Sequence, residues 1–250
     1  MAGHSKWSNI RRRKARVDAE RGKIFTKLAR EIVVAAREGG GDIETNFRLR
    51  LAVQKARDAN MPNDNINRAI LKGTGEEEGL RLEEITYEGY GPGGVAVLLE
   101  IMTDNRNRTA GEIRHIFTRR GGNMGESGCV AWIFERKGYF TIENKKEIPP
   151  EDDLMLLALE AGAEDLKIED GNYVITTSPE DFENLKKEFE KQAIVFNTAE
   201  ITMVPSSVIP IKDPEEAGQV LNLLEALEEH DDVQNVYANF DIPDEILQAL

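Results

Sequence analysis

Apolar residues recur every three or four positions through the first third of the chain, a spacing typical of amphipathic helices. The pattern predicts three helices, over residues 22–38, over residues 46–60, and in a short segment with Pro62 in its first turn. Glycines at 39–41 end the first helix, because glycine is unfavourable inside helices. Inward-facing positions are Ile24, Leu28, Ile32, Ala35, Phe47, Leu51, Val53, Ile66, Ala69 and Ile70. The linker-like composition of residues 72–79 marks a boundary.

Beyond this boundary, short apolar runs typical of strands alternate with helical stretches. Residues 84–90 and 95–103 predict two strands joined by the turn GPGG, and residues 106–120 predict a helix. The glycine-rich loop GGNMGESG follows, and the run CVAWIF at 129–134 predicts a further strand. This order, strand–strand–helix–strand, leaves the sheet incomplete.

Residues 138–203 then repeat strand and helix in the order β-α-β-β-α-β, the split arrangement of ferredoxin-like domains. The tail adds a short strand near Ile209, a helix over 214–229 and a final strand over 233–240. We expect the tail to complete the sheet begun earlier in the chain.

The predicted fold class is therefore α+β and multidomain. A three-helix N-terminal domain precedes two ferredoxin-like α+β domains, one inserted in the other. The expected bounds are 1–78 for the basic helical domain, 79–136 plus 204–250 for the interrupted α+β domain, and 137–203 for the inserted one.

Charge is divided unevenly along the chain, whose formal net charge is −14. Residues 1–72 contain 17 Lys or Arg against 8 Asp or Glu, a net of +9, whereas residues 73–250 contain 15 against 38, a net of −23. Such asymmetry indicates a polyanion-binding segment joined to an acidic body that repels nucleic acid elsewhere.

Composition and motifs argue against disulfide-rich, metal-binding, membrane and catalytic proteins. The chain has one cysteine and three histidines, which argues against a disulfide framework and a metal site. It has no apolar run of membrane-spanning length and no apolar segment behind its basic start, so we expect a cytoplasmic protein without membrane contact. No nucleophile elbow or histidine–carboxylate cluster is present, so we expect neither catalysis, nor a cofactor, nor a small-molecule substrate.

Six segments together resemble the YebC family, whose bacterial members are usually labelled transcriptional regulators. They are AGHSKWSNI at 2–10, KAR-x-DAERGKIFTKLAREI at 14–32 (any residue at 17), NMPNDNINRAI at 60–70, YEGYGPGG at 87–94, TDNRNRT at 103–109 and GGNMGESGCVAWIF at 121–134. Two positions differ from the family pattern: Asn63, where Lys is common, and Cys129, where Ser is frequent.

The resemblance implies a three-helix domain and two α+β domains around an open cleft, together with nucleic-acid binding and control of gene expression. Mitochondrial relatives are described as translational activators, and bacterial members have been linked to ribosomes that stall on proline-rich sequence. The resemblance therefore implies one of two functions: a DNA-binding transcriptional regulator, or a ribosome- or RNA-associated translation factor. Partners would be DNA or ribosomal RNA, and the ribosome.

The N-terminal arm is the first candidate for nucleic-acid contact. Its cations suit phosphate groups, and Trp7 either stacks on an exposed base or pins the arm against the helical domain. The alternative for the basic run is a solvated face. The candidate residues are His4, Lys6, Trp7, Arg11, Arg12, Arg13, Lys14, Arg16, Lys23 and Lys27.

The helix after TDNRNRT is the second candidate, with Asp104 or Asn105 as its cap. Its arginines suit phosphate or guanine, but in so acidic a body intramolecular salt bridges are an equal alternative. These residues are Arg106, Arg108, Arg114, Arg119 and Arg120.

Three functions follow. A DNA-binding transcriptional regulator agrees with the family label, although no helix-turn-helix stands out. A ribosome- or RNA-associated translation factor fits the charge layout better, because it needs shape and phosphate contacts. A protein-binding adaptor with an acidic cleft is the third. The loop GGNMGESG is an additional hypothesis for close backbone approach to RNA or protein.

Overall fold

Residues 132–207 form one unit of the chain, and the preceding and following segments form the other. The computed structural model describes residues 19–75, 81–144, 148–169 and 171–249. Each unit has its own secondary structure and core. The three-domain division of the sequence stays a prediction.

The larger unit begins with three helices, as the apolar spacing predicts. They are α1 (Ala19–Gly39), α2 (Phe47–Asp58) and α3 (Asn63–Thr74). The side chain of Asn46 caps α2 by accepting the backbone N–H of Leu49 at 3.0 Å. Their buried contacts are Ile32, Ala35, Ala36, Leu49, Ala52, Val53, Ala56, Met61, Ile66 and Ala69.

Helix α3 continues through residues 72–74, which the sequence assigned to a linker. Gly73 lies inside the helix because it lets α1 approach closely: a Cβ built there would lie 2.5 Å from the carbonyl oxygen of Val33 and 2.6 Å from the Cβ of Ala36. Gly75, in the left-handed conformation, ends the helix.

We expect Gly73→Ala to lower the free energy of unfolding by about 2 kcal/mol, because the added methyl group overpacks the α1–α3 contact. Gly111→Ala is the matched control: that glycine also lies in a helix, but a Cβ there meets nothing within 4 Å. Its replacement should raise stability by about 0.5–1 kcal/mol, since alanine is the better helix former. Urea unfolding followed by circular dichroism measures both, and equal effects would contradict the packing explanation.

The first sheet then begins with β1 (Glu83–Tyr90) and β2 (Ala96–Thr103), antiparallel and joined by the turn at 92–94, as predicted. Helix α4 (Arg106–Arg119) and the two-residue strand β3 (Asn123–Met124) follow, and β3 pairs with the end of β1. The prediction of a strand over residues 129–134 is wrong. Residues 131–133 form a 3-10 turn, and the next strand begins only at Phe134.

The smaller unit has the ferredoxin-like order expected for the inserted segment. Its elements are β4 (Phe134–Glu143), α5 (Glu151–Glu160), β5 (Ala163–Glu169), β6 (Asn172–Thr177), α6 (Phe182–Lys191) and β7 (Thr198–Pro205). The sheet order is β5-β6-β4-β7, with every pairing antiparallel. Phe140 stacks on Phe182 with ring centroids 4.8 Å apart, which joins the sheet to α6.

The tail returns to the larger unit. It consists of β8 (Ile209–Pro210), α7 (Pro214–Glu228), β9 (Val233–Ala238), β10 (Phe240–Asp241) and α8 (Asp244–Ala249). Strand β9 pairs with β2 and completes the order β3-β1-β2-β9, so the expectation that the tail completes the first sheet is confirmed. Strand β8 instead pairs with β10 in a separate two-stranded sheet. Helices combined with two antiparallel four-stranded sheets and the short parallel pair β8–β10 confirm the α+β class.

Among the described residues, no helix has both the length and the apolar character that a bilayer crossing requires.

Candidate nucleic-acid interface

Most of the N-terminal arm lies outside the described residues. This applies to His4, Lys6, Trp7, Arg11, Arg12, Arg13, Lys14 and Arg16, whose assignment as nucleic-acid contacts stays a prediction. The structure describes the other candidates, which belong to α1 and α4.

The cations of α1 contact the end of α7. Lys23 Nζ donates to the carbonyl oxygen of Glu229 at 3.2 Å, and Lys27 Nζ donates to that of Glu228 at 2.8 Å. Carbonyl groups at a helix C-terminus have no intrahelical partner and bear partial negative charge, so cations stabilise them. The two lysines therefore have a structural partner within the chain, which their basic context in the sequence did not indicate.

Arg30 adds a third contact from α1. Its Nη1 donates to the carbonyl oxygen of Asp231 at 2.6 Å and to Oδ1 of Asp232 at 3.0 Å. Asp232 is only 3% exposed, so this is a largely buried ion pair. The ion pair thereby joins the basic helix α1 to the acidic tail within the larger unit.

Asp232 also binds the TDNRNRT segment at residues 103–109. Its Oδ2 accepts from Arg108 Nη2 at 2.8 Å, from Thr109 Oγ1 at 2.7 Å and from Thr103 Oγ1 at 3.1 Å. Burial opposes the ionised form, but these donors and the charge of Arg30 outweigh it and lower the pKa of Asp232 to about 2. Of the two roles predicted for Arg108, nucleic-acid contact and an intramolecular salt bridge, the structure contains the salt bridge.

Beside this network, Glu112, His230 and Asp232 place ligand-type atoms within 4.8 Å of one another. Hydrogen bonds account for the arrangement. His230 Nδ1 accepts the backbone N–H of Asp232 at 3.1 Å, and its Nε2 lies 2.9 Å from Glu112 Oε2. Two guanidinium groups already neutralise Asp232, so its carboxylate favours arginine over a metal cation.

The remaining arginines of α4 are exposed. Asn105 caps the helix by accepting the backbone N–H of Arg108 at 3.1 Å, which resolves the choice between the two predicted caps. Exposed cations along one helix suit phosphate contact, and their role as nucleic-acid contacts stays a prediction. These residues are Arg106, Arg114 and Arg119 in the helix and Arg120 at its C-cap.

A buried carboxylate organises the glycine-rich loop. Glu88, 3% exposed, accepts the backbone N–H groups of Gly128 at 2.6 Å and of Val130 and Ala131, each at 2.7 Å. Burial alone would raise the pKa of Glu88, but these three donors hold it below its ordinary value. The backbone of Glu88 contributes as well, since its carbonyl oxygen accepts the N–H of Gly125 at 2.8 Å. The loop is thus tied to β1 along its second half.

Cys129 in this loop has a pKa above its ordinary value, because of burial and the neighbouring carboxylate of Glu88. A thiol with a raised pKa is a poor nucleophile at neutral pH. This cysteine therefore offers no activated group for covalent chemistry.

Sequence reasoning missed Glu88, Arg30 and Asp232, which hold the larger unit together. Glu88 lies inside YEGYGPGG, and a charged residue amid the apolar positions of a strand was the available signal. Asp232 lies in the tail, 123 residues after Thr109, so no local pattern links them.

Family models of TACO1/YebC match most of the chain. The N-terminal domain matches residues 5–76, and the second and third domain match residues 82–240. A relative from Natranaerobius thermophilus is 59% identical over 250 residues, covering 100% of both chains. One from Pelotomaculum thermopropionicum is 60% identical over 244 residues, covering 98% of this chain and 100% of the relative. Both are called "Probable transcriptional regulatory protein".

A crystal structure of a conserved hypothetical protein from Aquifex aeolicus is also similar. Its TM-score is 0.81 at 53% sequence identity, covering 94% of this chain and 96% of that chain. The similarity thus extends over the helical segment and both four-stranded sheets.

Proposed function

The chain belongs to the TACO1/YebC family, and we propose that it is a non-enzymatic regulator of gene expression that acts by binding nucleic acid. Its relatives' name supports a regulatory role. The proposed contacts are the basic N-terminal arm and the exposed arginines of α4.

The observation that carries this proposal is the segregation of charge. The first 72 residues have a net charge of +9 and the remainder a net charge of −23. Lys23, Lys27 and Arg30 of α1 bind the tail, whereas the run RRRK at 11–14 has four adjacent positive charges and no acidic residue among them. Four charges at that density repel one another and favour a polyanion.

A specific feature favours RNA or the ribosome as the polyanion. Arg108, placed where α4 begins, is bound to Asp232 and Asp104, so that end of the helix is poorly suited to reading bases. Phosphate contacts made by an arm raise the affinity for nucleic acid but do not distinguish one base sequence from another. A translation factor that recognises folded RNA by shape therefore fits this layout better than a recognition-helix regulator does.

Salt dependence tests the proposal. If the arm contacts about five phosphates, the log of the affinity for duplex DNA should fall with log salt at a slope of about −4.5. A triple substitution of Arg11, Arg12 and Arg13 by Gln should make that slope shallower by about 2.7, since three contacts are lost. Fluorescence anisotropy with labelled duplexes measures both slopes.

The transcriptional regulator and the translation factor are distinguished by comparing the affinities for promoter DNA, scrambled DNA and purified ribosomes. Equal affinity for both duplexes together with tighter ribosome binding supports the translation factor. Preference for one duplex supports the transcriptional regulator, and a salt slope unchanged by the triple substitution would reject the arm as the contact.

A further inference from the structure

A groove opens between α1 and α3 in the larger unit, with a volume of about 800 Å³. Helix α3 presents positions three and four residues apart to it, and α1 presents positions four apart, so each helix contributes a single face. Leu82 closes one side. The lining residues are Phe25, Thr26, Ala29, Arg30, Val33, Met61, Asn65, Arg68, Ala69, Lys72 and Leu82.

The groove combines an apolar floor with a cationic rim. Phe25, Ala29 and Val33 are half-buried and pack against the helical core, which leaves part of each surface facing the groove. Arg68 and Lys72, four residues apart on α3, are exposed at the rim. Within the described residues neither forms an ion pair, unlike Arg30, which is bound to Asp232.

Exposed cations beside an apolar floor select a ligand with a flat apolar part and a nearby anion. A nucleotide has both, since its base stacks on aromatic and apolar side chains while its phosphate pairs with Arg or Lys. The volume is within the range of small-molecule sites and accommodates one or two nucleotides. The chain's own basic run at residues 11–14 is disfavoured as the occupant, because its charge has the same sign as the rim.

Position along the chain also favours nucleic acid. Apart from Leu82, the groove residues belong to the first 72 residues, whose net charge of +9 favours a polyanion. We propose that the α1–α3 groove binds an unpaired base of a single-stranded nucleic acid, with Arg68 and Lys72 contacting the adjacent phosphates.

This inference rests on the proposed function, and the test separates the two. The full chain is titrated with labelled 12-nucleotide oligouridine, oligothymidine and an abasic 12-mer with the same number of phosphates. We expect binding about tenfold tighter, or more, to strands with bases than to the abasic strand. Tighter binding of oligouridine or of oligothymidine identifies RNA or DNA as the source of the base.

Two variants test the groove itself. Ala29→Phe fills the floor without changing charge and should abolish the preference for bases over the abasic strand. The double substitution of Arg68 and Lys72 by Gln should make the salt slope for single strands shallower by about 1.4. Arg57→Gln with Lys212→Gln is the matched control, because it removes one exposed Arg and one exposed Lys outside the groove. Circular dichroism verifies that each variant is folded.

The competing occupant is an acidic amphipathic helix of a partner protein. A peptide with Leu and Glu at helical spacing tests it. If the wild type binds this peptide, Ala29→Phe abolishes that binding, and bases have no effect, the groove is a protein-docking site and the inference is wrong. Nucleic-acid binding that is identical in the wild type and both groove variants would reject the groove while leaving the proposed function intact. Absence of any nucleic-acid binding would reject both.

Discussion

Asp232→Asn should lower the free energy of unfolding by about 3 kcal/mol, one of the two largest effects that we expect from a single side chain. The carboxylate accepts from Arg30, Arg108 and two fully buried threonine hydroxyls. An amide at this position loses the negative charge and presents N–H donors to other donors. Removing one partner from a buried charged network is costly because the remaining charges and hydroxyls lose their acceptor.

The pH dependence of this effect has a definite sign. The pKa of Asp232 is lowered from 3.8 to about 2 in the folded protein, so its ionisation stabilises the fold above the unfolded pKa. That contribution, about 2 kcal/mol, should be lost as pH falls from about 4 to about 2. The difference in unfolding free energy between wild type and Asp232→Asn should therefore shrink over this interval.

Urea unfolding at a series of pH values measures the difference. Asp231→Asn is the control, since it makes the same chemical change at the preceding residue, which is exposed. A difference between wild type and Asp232→Asn that stays constant between pH 5 and pH 2 would contradict the assignment of the stabilisation to the ionised carboxylate.

Glu88→Gln should release the glycine-rich loop from β1. The carboxylate satisfies three backbone N–H groups with two oxygens, whereas an amide has one acceptor oxygen and points its NH₂ group at the remaining donors. At least one buried N–H group then has no acceptor, at a cost of about 3 kcal/mol for the loss of charge-assisted bonds.

Amide hydrogen exchange is the direct measurement. Gly128, Val130 and Ala131 should exchange about a hundredfold faster in Glu88→Gln, while amides in β2 remain protected. Glu83→Gln makes the same chemical change on the exposed part of the same strand and should leave the loop unaffected. If the loop amides of Glu88→Gln exchange at the wild-type rate, Glu88 does not hold the loop.

Together these two carboxylates show why family motifs need not be ligand-binding sequences. TDNRNRT supplies Thr103, Arg108 and Thr109 to Asp232, and YEGYGPGG supplies Glu88 to the loop GGNMGESG. Each pair of segments is joined by a buried charge. Residues that carry the family resemblance thus also hold the fold together, so motif residues should be tested for stability before a role in binding is assigned.

Helices, strands and the inserted ferredoxin-like order could be predicted from the sequence because they follow from local rules. Apolar spacing distinguishes helix from strand, and glycine or proline ends each element. Where a local rule was misleading, a distant contact was the reason. Gly73 resembled a linker residue but lies in α3 because α1 packs against it, and residues 129–133 resembled a strand but turn because Glu88 binds their backbone.

The division of charge along the chain, and with it the expectation of a polyanion partner, is a property of the sequence alone. Which cations are available for that partner is decided only by tertiary structure. Lys23, Lys27 and Arg30 are occupied by the tail, more than 200 residues away in sequence, whereas Arg68 and Lys72, never candidates on sequence grounds, face an open groove. The reason is physical: a sequence specifies each charge, but pairing depends on distance, and folding brings carboxylates and helix ends to some cations and leaves others exposed to solvent.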